Sequence, residues 1–492
     1  MKFRLLSYCL FICLAIDFSS ILSQSRGDLI SSQLIGTRTQ SEIETIYAQF
    51  GIPVFLSPIQ YDVDLYKLVY FTPDASGENL TIASGLVMVP VGECDFPLFC
   101  YNHGTSLYGT PISSLGGEWQ IGIFFATSGY LAVLPDYLGM GDTPLDHPHP
   151  YIHAKSEATA VVDMLRASRI FCTNQEIRLN EQVFLSGYSQ GGHVAMAAFK
   201  EMELLHSDEF QLTAAAPASG PYDVSRTTRD TLLLNQPSAT GSFYLSYVLT
   251  SYQFVYGNMW TTPSDVFVPP YDVQIPAFFD RQSPQSGVVF PDTARTMFWP
   301  ALVDSLQEDS LNLHPINQAL AENDVYDWTP NAPVRMFYCE ADEQVPYYNA
   351  FVAQNQFVAN GSSSSSIVSS GASLGHQDCA PPSLLLTKAW FDSLRVDCTA
   401  DSVTSIDRDW RQHVQVFPNP FSGNLNILQS GNRKKSIHRV QVVDLQGRVI
   451  VEKELVPYLP EQTLHFPELH AGSYVFKWIG LQWSGYQILQ VH

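Results

Sequence analysis

The chain has 492 residues, 45% of them hydrophobic and 15% charged. That balance belongs to a folded protein rather than a disordered one, and the length calls for more than one domain. Forty-eight acidic against 26 basic side chains give a formal charge of −22, with no Lys/Arg run longer than Arg433-Lys434-Lys435, which disfavours nucleic acid and anionic membrane surfaces, since both are held by basic patches.

The first residues read as an export signal. Lys2 and Arg4 precede the apolar stretch Leu5 to Ile16, and small and polar residues follow up to a cleavage point near Ser23, making 1–23 a signal peptide. The stretch is too short to span a bilayer, and no later run approaches membrane length, so no transmembrane segment is expected. Cleavage leaves Cys94, Cys100, Cys172, Cys339, Cys379 and Cys398, an even set that permits disulfides in an exported chain. The pairing to test first is Cys379 with Cys398, whereas Cys100 and Cys339 lie inside apolar runs and read as buried thiols.

Ala83 to Pro90 and Phe96 to Tyr101 read as successive strands, followed by a helix over Trp119 to Ala126 and a strand over Gly129 to Pro135. Ser156 to Ile170 carries Ala158, Val161, Val162, Leu165 and Ala167 at helical spacing. Strands follow at Gln182 to Ser186, Ala214 to Pro217 and Val334 to Cys339. Such alternation predicts an α/β fold with a mostly parallel central sheet covered on both faces.

Between Gly220 and Trp328 the rhythm is lost in a stretch rich in Pro, Tyr, Phe and Trp. Because the sheet resumes afterwards, this stretch reads as an inserted cap (about 220–328) within a catalytic domain spanning 24–398. The run Ser362 to Ser366 reads as a flexible loop, and 399–410 as a polar linker. From 411 to 492, short strand-like segments alternate with turn signals such as Gly423-Asn424, Gln446-Gly447 and Ala471-Gly472, the pattern of a small all-β sandwich.

The chemistry centres on Gly187-Tyr188-Ser189-Gln190-Gly191, which follows a strand and opens a helix. In that context the motif is a nucleophile elbow, with Ser189 exposed on a strained turn and little bulk on either side. The backbone N–H of Gln190, at the helix start, is one expected oxyanion donor. Serine needs a base and an orienting acid, which in hydrolases of this kind follow in the order serine, acid, histidine. Asp342, after the strand Val334 to Cys339, is the expected acid, with Glu340 as competitor. His376, the one histidine between that acid and the C-terminal module, is the expected base. Asn102-His103-Gly104-Thr105 follows an earlier strand and matches an oxyanion loop, with Thr105 the expected second donor and Gly104 close behind. His147, His149 and His153 lie among prolines with no accompanying ligand set, so neither metal nor other cofactor is expected. His193 reads as a packed residue.

Five blocks make the chain resemble secreted α/β-hydrolases of the secretory lipase type: Tyr101-Asn-His-Gly-Thr105, Pro135-Asp-Tyr-Leu-Gly-Met-Gly141, His149-Pro-Tyr151, Gly187-Tyr-Ser-Gln-Gly-Gly-His193 and Ala341-Asp-Glu-Gln-Val-Pro346. The resemblance covers roughly residues 50 to 395 and implies an α/β-hydrolase fold that cleaves carboxylic esters, with a capped acyl-binding pocket. Val416-Phe-Pro-Asn-Pro-Phe421, Val443-Asp-Leu-Gln-Gly-Arg448 and Leu469-His-Ala-Gly-Ser-Tyr474 resemble the three blocks of a type IX secretion system sorting domain. That implies recognition by the secretion machinery and a place outside, secreted or on the outer-membrane surface, of a Gram-negative bacterium. The final segment, Tyr486 to His492, lacks the lysine often found there. The expectation is an exported serine esterase or lipase, acting on ester or lipid-like small molecules through an acyl-enzyme on Ser189. A serine peptidase of the same fold and a non-catalytic surface binding protein are the alternatives. No propeller-length repeat accompanies the triad, which disfavours the peptidase, and the complete triad disfavours the binding protein.

Overall fold

Segments of five to eleven residues, apolar throughout in the centre and polar toward the edges, stack into one nine-stranded sheet in the computed structural model of the chain. The structure describes residues 24–52, 54, 57–106, 111–233, 239–281, 287–396, 414–429, 437–444, 448–456, 459–480 and 484–491. The strands are β1 (Leu29–Arg38), β2 (Val63–Pro73), β3 (Leu80–Pro90), β4 (Phe96–Asn102), β5 (Leu131–Pro135), β6 (Leu179–Tyr188), β7 (Leu212–Ala218), β8 (Val334–Cys339) and β9 (Ser365–Gly371), in the order β1-β2-β3-β5-β4-β6-β7-β8-β9. The first three join antiparallel, and β5 through β9 run parallel. Every residue of β4 and β5 is buried, as strands covered on both faces require.

Alternation along β4 sends Phe99 and Tyr101 to one face and Leu98 and Cys100 to the other. On the first face lie α1 (Gln40–Gln49), α2 (Trp119–Ala126) and α11 (His376–Leu394), with Phe125 and Phe391 against Phe99. The second face is covered by α3 (Ala154–Asn174), α4 (Gln190–Leu205) and α10 (Tyr348–Ala359) through Val161, Leu165, Met196 and Phe357. Between β7 and β8 the insertion carries α5 (Arg229–Leu233), α6 (Ala239–Tyr256), α7 (Tyr271–Phe278), α8 (Pro300–Glu308) and α9 (Pro315–Glu322). Its aromatic-rich core also takes in Tyr151 and Ile152 of the loop before α3. This is the inserted cap of an α/β-hydrolase fold.

The C-terminal residues form two antiparallel sheets. One holds β10 (Val414–Phe417), β11 (Asn424–Gln429) and β14 (Glu461–His465). The other holds β12 (Ile437–Val443), β13 (Val449–Glu454), β15 (Gly472–Gly480) and β16 (Ser484–Val491). Leu425 and Ile427 of the first share one core with Val440, Phe476 and Trp478 of the second, a sandwich.

Three expectations need correction. Cys379 pairs with Cys339, not with Cys398; the Cα atoms of Cys339 and Cys379 are 6.0 Å apart, within bonding reach. Cys339 is therefore no free thiol, whereas Cys100 and Cys172 are free and buried. The serine run is not all loop, because Ser365 and Ser366 already pair in β9. Strands β1 and β2 add an antiparallel edge that the sequence reading omitted. The signal segment 1–23, the linker 399–410, Cys398 and the turn Gln446-Gly447 lie outside the described residues. Among the described residues no helix is long and apolar enough to cross a membrane.

Candidate active site

Strand β6 ends at Tyr188, and the next residue turns sharply into α4. Ser189 has φ 60° and ψ −121°, in a sparsely populated region that L residues occupy only when their surroundings hold them there. Its N–H donates to Ala218 O at 3.0 Å, fixing the turn to the end of β7. The flanking glycines are steric necessities. A Cβ on Gly187 would strike the Gly191 carbonyl, and one on Gly191 would strike the Asn102 carbonyl at the end of β4. The elbow and the loop after β4 thus approach backbone to backbone.

Ser189, His376 and Asp342 come from three separate parts of the chain and meet at the ends of the parallel strands. Ser189 Oγ lies 2.9 Å from His376 Nε2, and His376 Nδ1 lies 2.7 and 2.9 Å from the two carboxylate oxygens of Asp342. Asp342 Oδ1 also accepts the N–H groups of Gln344 and Val345, which aims the carboxylate. His376 is the first residue of α11, its N–H donates to Glu343 Oε2, and Tyr188 Oη donates to its carbonyl at 2.5 Å. The competitor Glu340 is engaged elsewhere, accepting from Ser369 Oγ at 2.9 Å.

In the oxyanion loop the two candidate donors differ in their partners. Gly104 N–H donates to Glu118 Oε2, which Tyr101 Oη also contacts at 2.7 Å, so Gly104 N–H is occupied. Among the described residues neither Thr105 N–H nor Gln190 N–H has an intramolecular acceptor. Gln190 is the first residue of α4, where the helix dipole adds partial positive charge. Thr105 Oγ1 is 2.8 Å from Tyr151 Oη.

Behind the elbow lies a buried polar network that the sequence reading did not assign. Gln190 Nε2 donates both to Glu157 Oε1 and to His149 Nε2, while His149 Nδ1 donates to Leu138 O. Burial pushes the His149 pKa down to about 4, so the neutral ring accepts through Nε2. The other Glu157 oxygen meets His193 Nδ1 at 2.8 Å, and His193 Nε2 meets Asn323 O at the cap exit. Burial raises the Glu157 pKa, but the His193 hydrogen bond and charge with the Gln190 amide outweigh it and hold it below the usual carboxylate range. His193 is thus packed, as expected, and also hydrogen-bonded to Glu157. The one sequence clue was a glutamate beside Ala158 and Val161 on an apolar helix face. His153 is likewise pushed down to about 4 by burial, with Nδ1 on Ser156 Oγ. Among the described residues no group of three or more His, Cys, Asp or Glu side chains is placed to hold a metal.

The cap and the loop before α3 pack an aromatic cluster beside the site. Tyr151 stacks on Tyr247 at 4.3 Å between centroids, Tyr247 stacks on Phe279 at 4.4 Å, and Tyr244 Oη donates to Gln344 Oε1 beside the acid.

The profile of the secretory lipase family matches residues 123–231, which contain the elbow, and that of a secretion system C-terminal sorting domain matches residues 415–480. Among solved structures, the chain is similar to the rice cell wall degrading esterase LipA from Xanthomonas oryzae, with 30% identity over 74% of this chain and 96% of that one, at a TM-score of 0.64. A hydrolase from Legionella pneumophila is 27% identical over 76% of this chain and 100% of its own, at a TM-score of 0.69. Candida antarctica lipase A shares the fold at 18% identity, 76% and 84% coverage and a TM-score of 0.55. The curated proteins contain no sequence match.

Proposed function

This chain belongs to the secretory lipase family and is a carboxylic ester hydrolase; from that premise we propose that hydrolysis runs through an acyl-enzyme on Ser189. The observation that carries the proposal is the unbroken relay from Ser189 Oγ through His376 to Asp342, with a contact of 2.9 Å and then one of 2.7 Å. His376 Nε2 takes the hydroxyl proton as Ser189 Oγ attacks the ester carbonyl, and Asp342 holds the ring tautomer and stabilises its charge. The N–H groups of Gln190 and Thr105 receive the developing oxyanion. His376 then protonates the departing alcohol, and a water activated by the same nitrogen releases the acid.

The secretory lipase match and an aromatic-rich cap beside the triad favour an apolar acyl chain or a lipid-like ester held against the cap. Burial there is worth about 0.8 kcal/mol per methylene, or roughly fourfold in kcat/KM at each step until the pocket fills. A cell-wall-linked ester is the second reading, favoured by the relationship to the Xanthomonas oryzae esterase. The sorting domain supports export through the type IX machinery to the medium or cell surface of a Gram-negative bacterium, with a catalytic unit over 24–398 and a sorting unit over 411–492. A p-nitrophenyl ester series tests the substrate reading: rates should climb from acetyl through short and medium chains, then fall. A profile confined to acetyl would transfer the case to cell-wall esters.

A further inference from the structure

We propose that the Cys339–Cys379 disulfide is a positioning device for the Asp342–His376 pair, so that full esterase activity waits on its oxidation. The proposal rests on the triad reading above. The acid and the histidine sit on different segments: Asp342 lies three residues beyond the end of β8, and His376 opens α11 after β9. The parallel ladder between β8 and β9 shifts register between Tyr338 and Cys339, so strand pairing weakens where the acid loop begins. The disulfide sits at that point. Cys339 closes β8, and Cys379 lies one turn into α11, so each sulfur is bonded three residues from the catalytic group it serves.

Besides the Asp342–His376 contact itself, hydrogen bonds hold this junction, from His376 N–H to Glu343 and from Tyr188 Oη to His376 O. They leave the acid loop and the first turn of α11 free to slide against one another once the covalent link is gone. A displacement of about 1 Å at a reacting group costs on the order of 100-fold in rate. Both cysteines are 0% exposed, so the bond, once formed in the folded chain, is sheltered from reductants. Its formation takes two electrons and two protons from the thiols by exchange with a disulfide oxidant, the second thiolate displacing the oxidant's thiol from a mixed disulfide. Such oxidants prevail outside the reducing cytoplasm. A folded chain with both thiols reduced would therefore be a weak esterase, and the oxidised chain a full one.

The test uses the full chain as C339S, C379S, the double variant and C94S, the last removing the separate disulfide of Cys94. On a p-nitrophenyl ester well below the melting temperature, kcat should fall about 10- to 100-fold in the first three variants with KM nearly unchanged, and C94S should keep its kcat. A bond that only stabilises the fold would lower the melting temperature and leave kcat alone, which would overturn the proposal. Should the variants fail to fold, wild type refolded under reductant and then given oxidised glutathione provides the second measurement. Recovery of kcat should track the Cys339–Cys379 crosslinked peptide in mass spectra, and full activity before that crosslink appears would refute the idea. Retained turnover in S189A would instead sink the triad reading, whereas an inactive S189A beside a fully active C339S/C379S would sink only the disulfide role.

Discussion

Replacing Asp342 by Asn probes the relay at its least redundant point. Asp342 Oδ1 accepts two backbone N–H groups, from Gln344 and Val345, and both oxygens face His376 Nδ1. An asparagine must keep its single oxygen on the two backbone donors, which turns its NH₂ toward Nδ1. Donor would then face donor, so the ring adopts the other tautomer and presents Nε2–H to Ser189 Oγ, unable to take its proton. Loss of the working tautomer at a triad costs about 10⁴ in kcat, or roughly 5.4 kcal/mol of transition-state stabilisation. Glu340→Gln is the matched control, because that carboxylate serves Ser369 instead, and its effect should stay within about 0.5 kcal/mol, near twofold. Initial rates on one p-nitrophenyl ester, normalised to folded protein, compare the two. A D342N rate within tenfold of wild type, or a larger loss in E340Q, would refute the relay as drawn.

Gly191→Ala places a methyl against the Asn102 carbonyl; it should cost about 1–3 kcal/mol of stability and, by moving the oxyanion loop, on the order of 100-fold in kcat. Normal melting with full kcat would contradict that packing. Asp324, at the cap exit, accepts from Val224 N, Ser225 N and Ser225 Oγ at the cap entry. Burial raises its pKa from 3.8 to about 6. Its contribution to stability is full below the unfolded value and is lost as pH rises through the folded one. The wild type should therefore lose stability relative to D324N between about pH 4 and 7, and parallel denaturation curves across that range would refute the assignment.

What the sequence revealed follows from where each signal resides. The central strands were legible because β4 and β5 are buried at every position and so read as continuous apolar runs. The elbow was legible because backbone-to-backbone contact at Gly187 and Gly191 forbids any side chain there. Strand β1 carries Ser31, Ser32 and Gln33 on an exposed edge, leaving no apolar period to detect. The disulfide partner depends on a through-space distance between segments 40 residues apart, which spacing does not encode. The engagement of Gly104 N–H by Glu118 and the burial of the Glu157–His193 pair are facts of packing rather than of pattern.

The most direct test of the acyl-enzyme claim is covalent capture. Full-length enzyme treated with a p-nitrophenyl alkylphosphonate should gain the mass of one phosphonyl group, lose activity in step with that gain, and yield Ser189 as the labelled residue on peptide mapping. S189A should neither label nor turn over ester while keeping the wild-type circular dichroism spectrum. Labelling at another residue, or an S189A variant that still hydrolyses esters, would contradict the account.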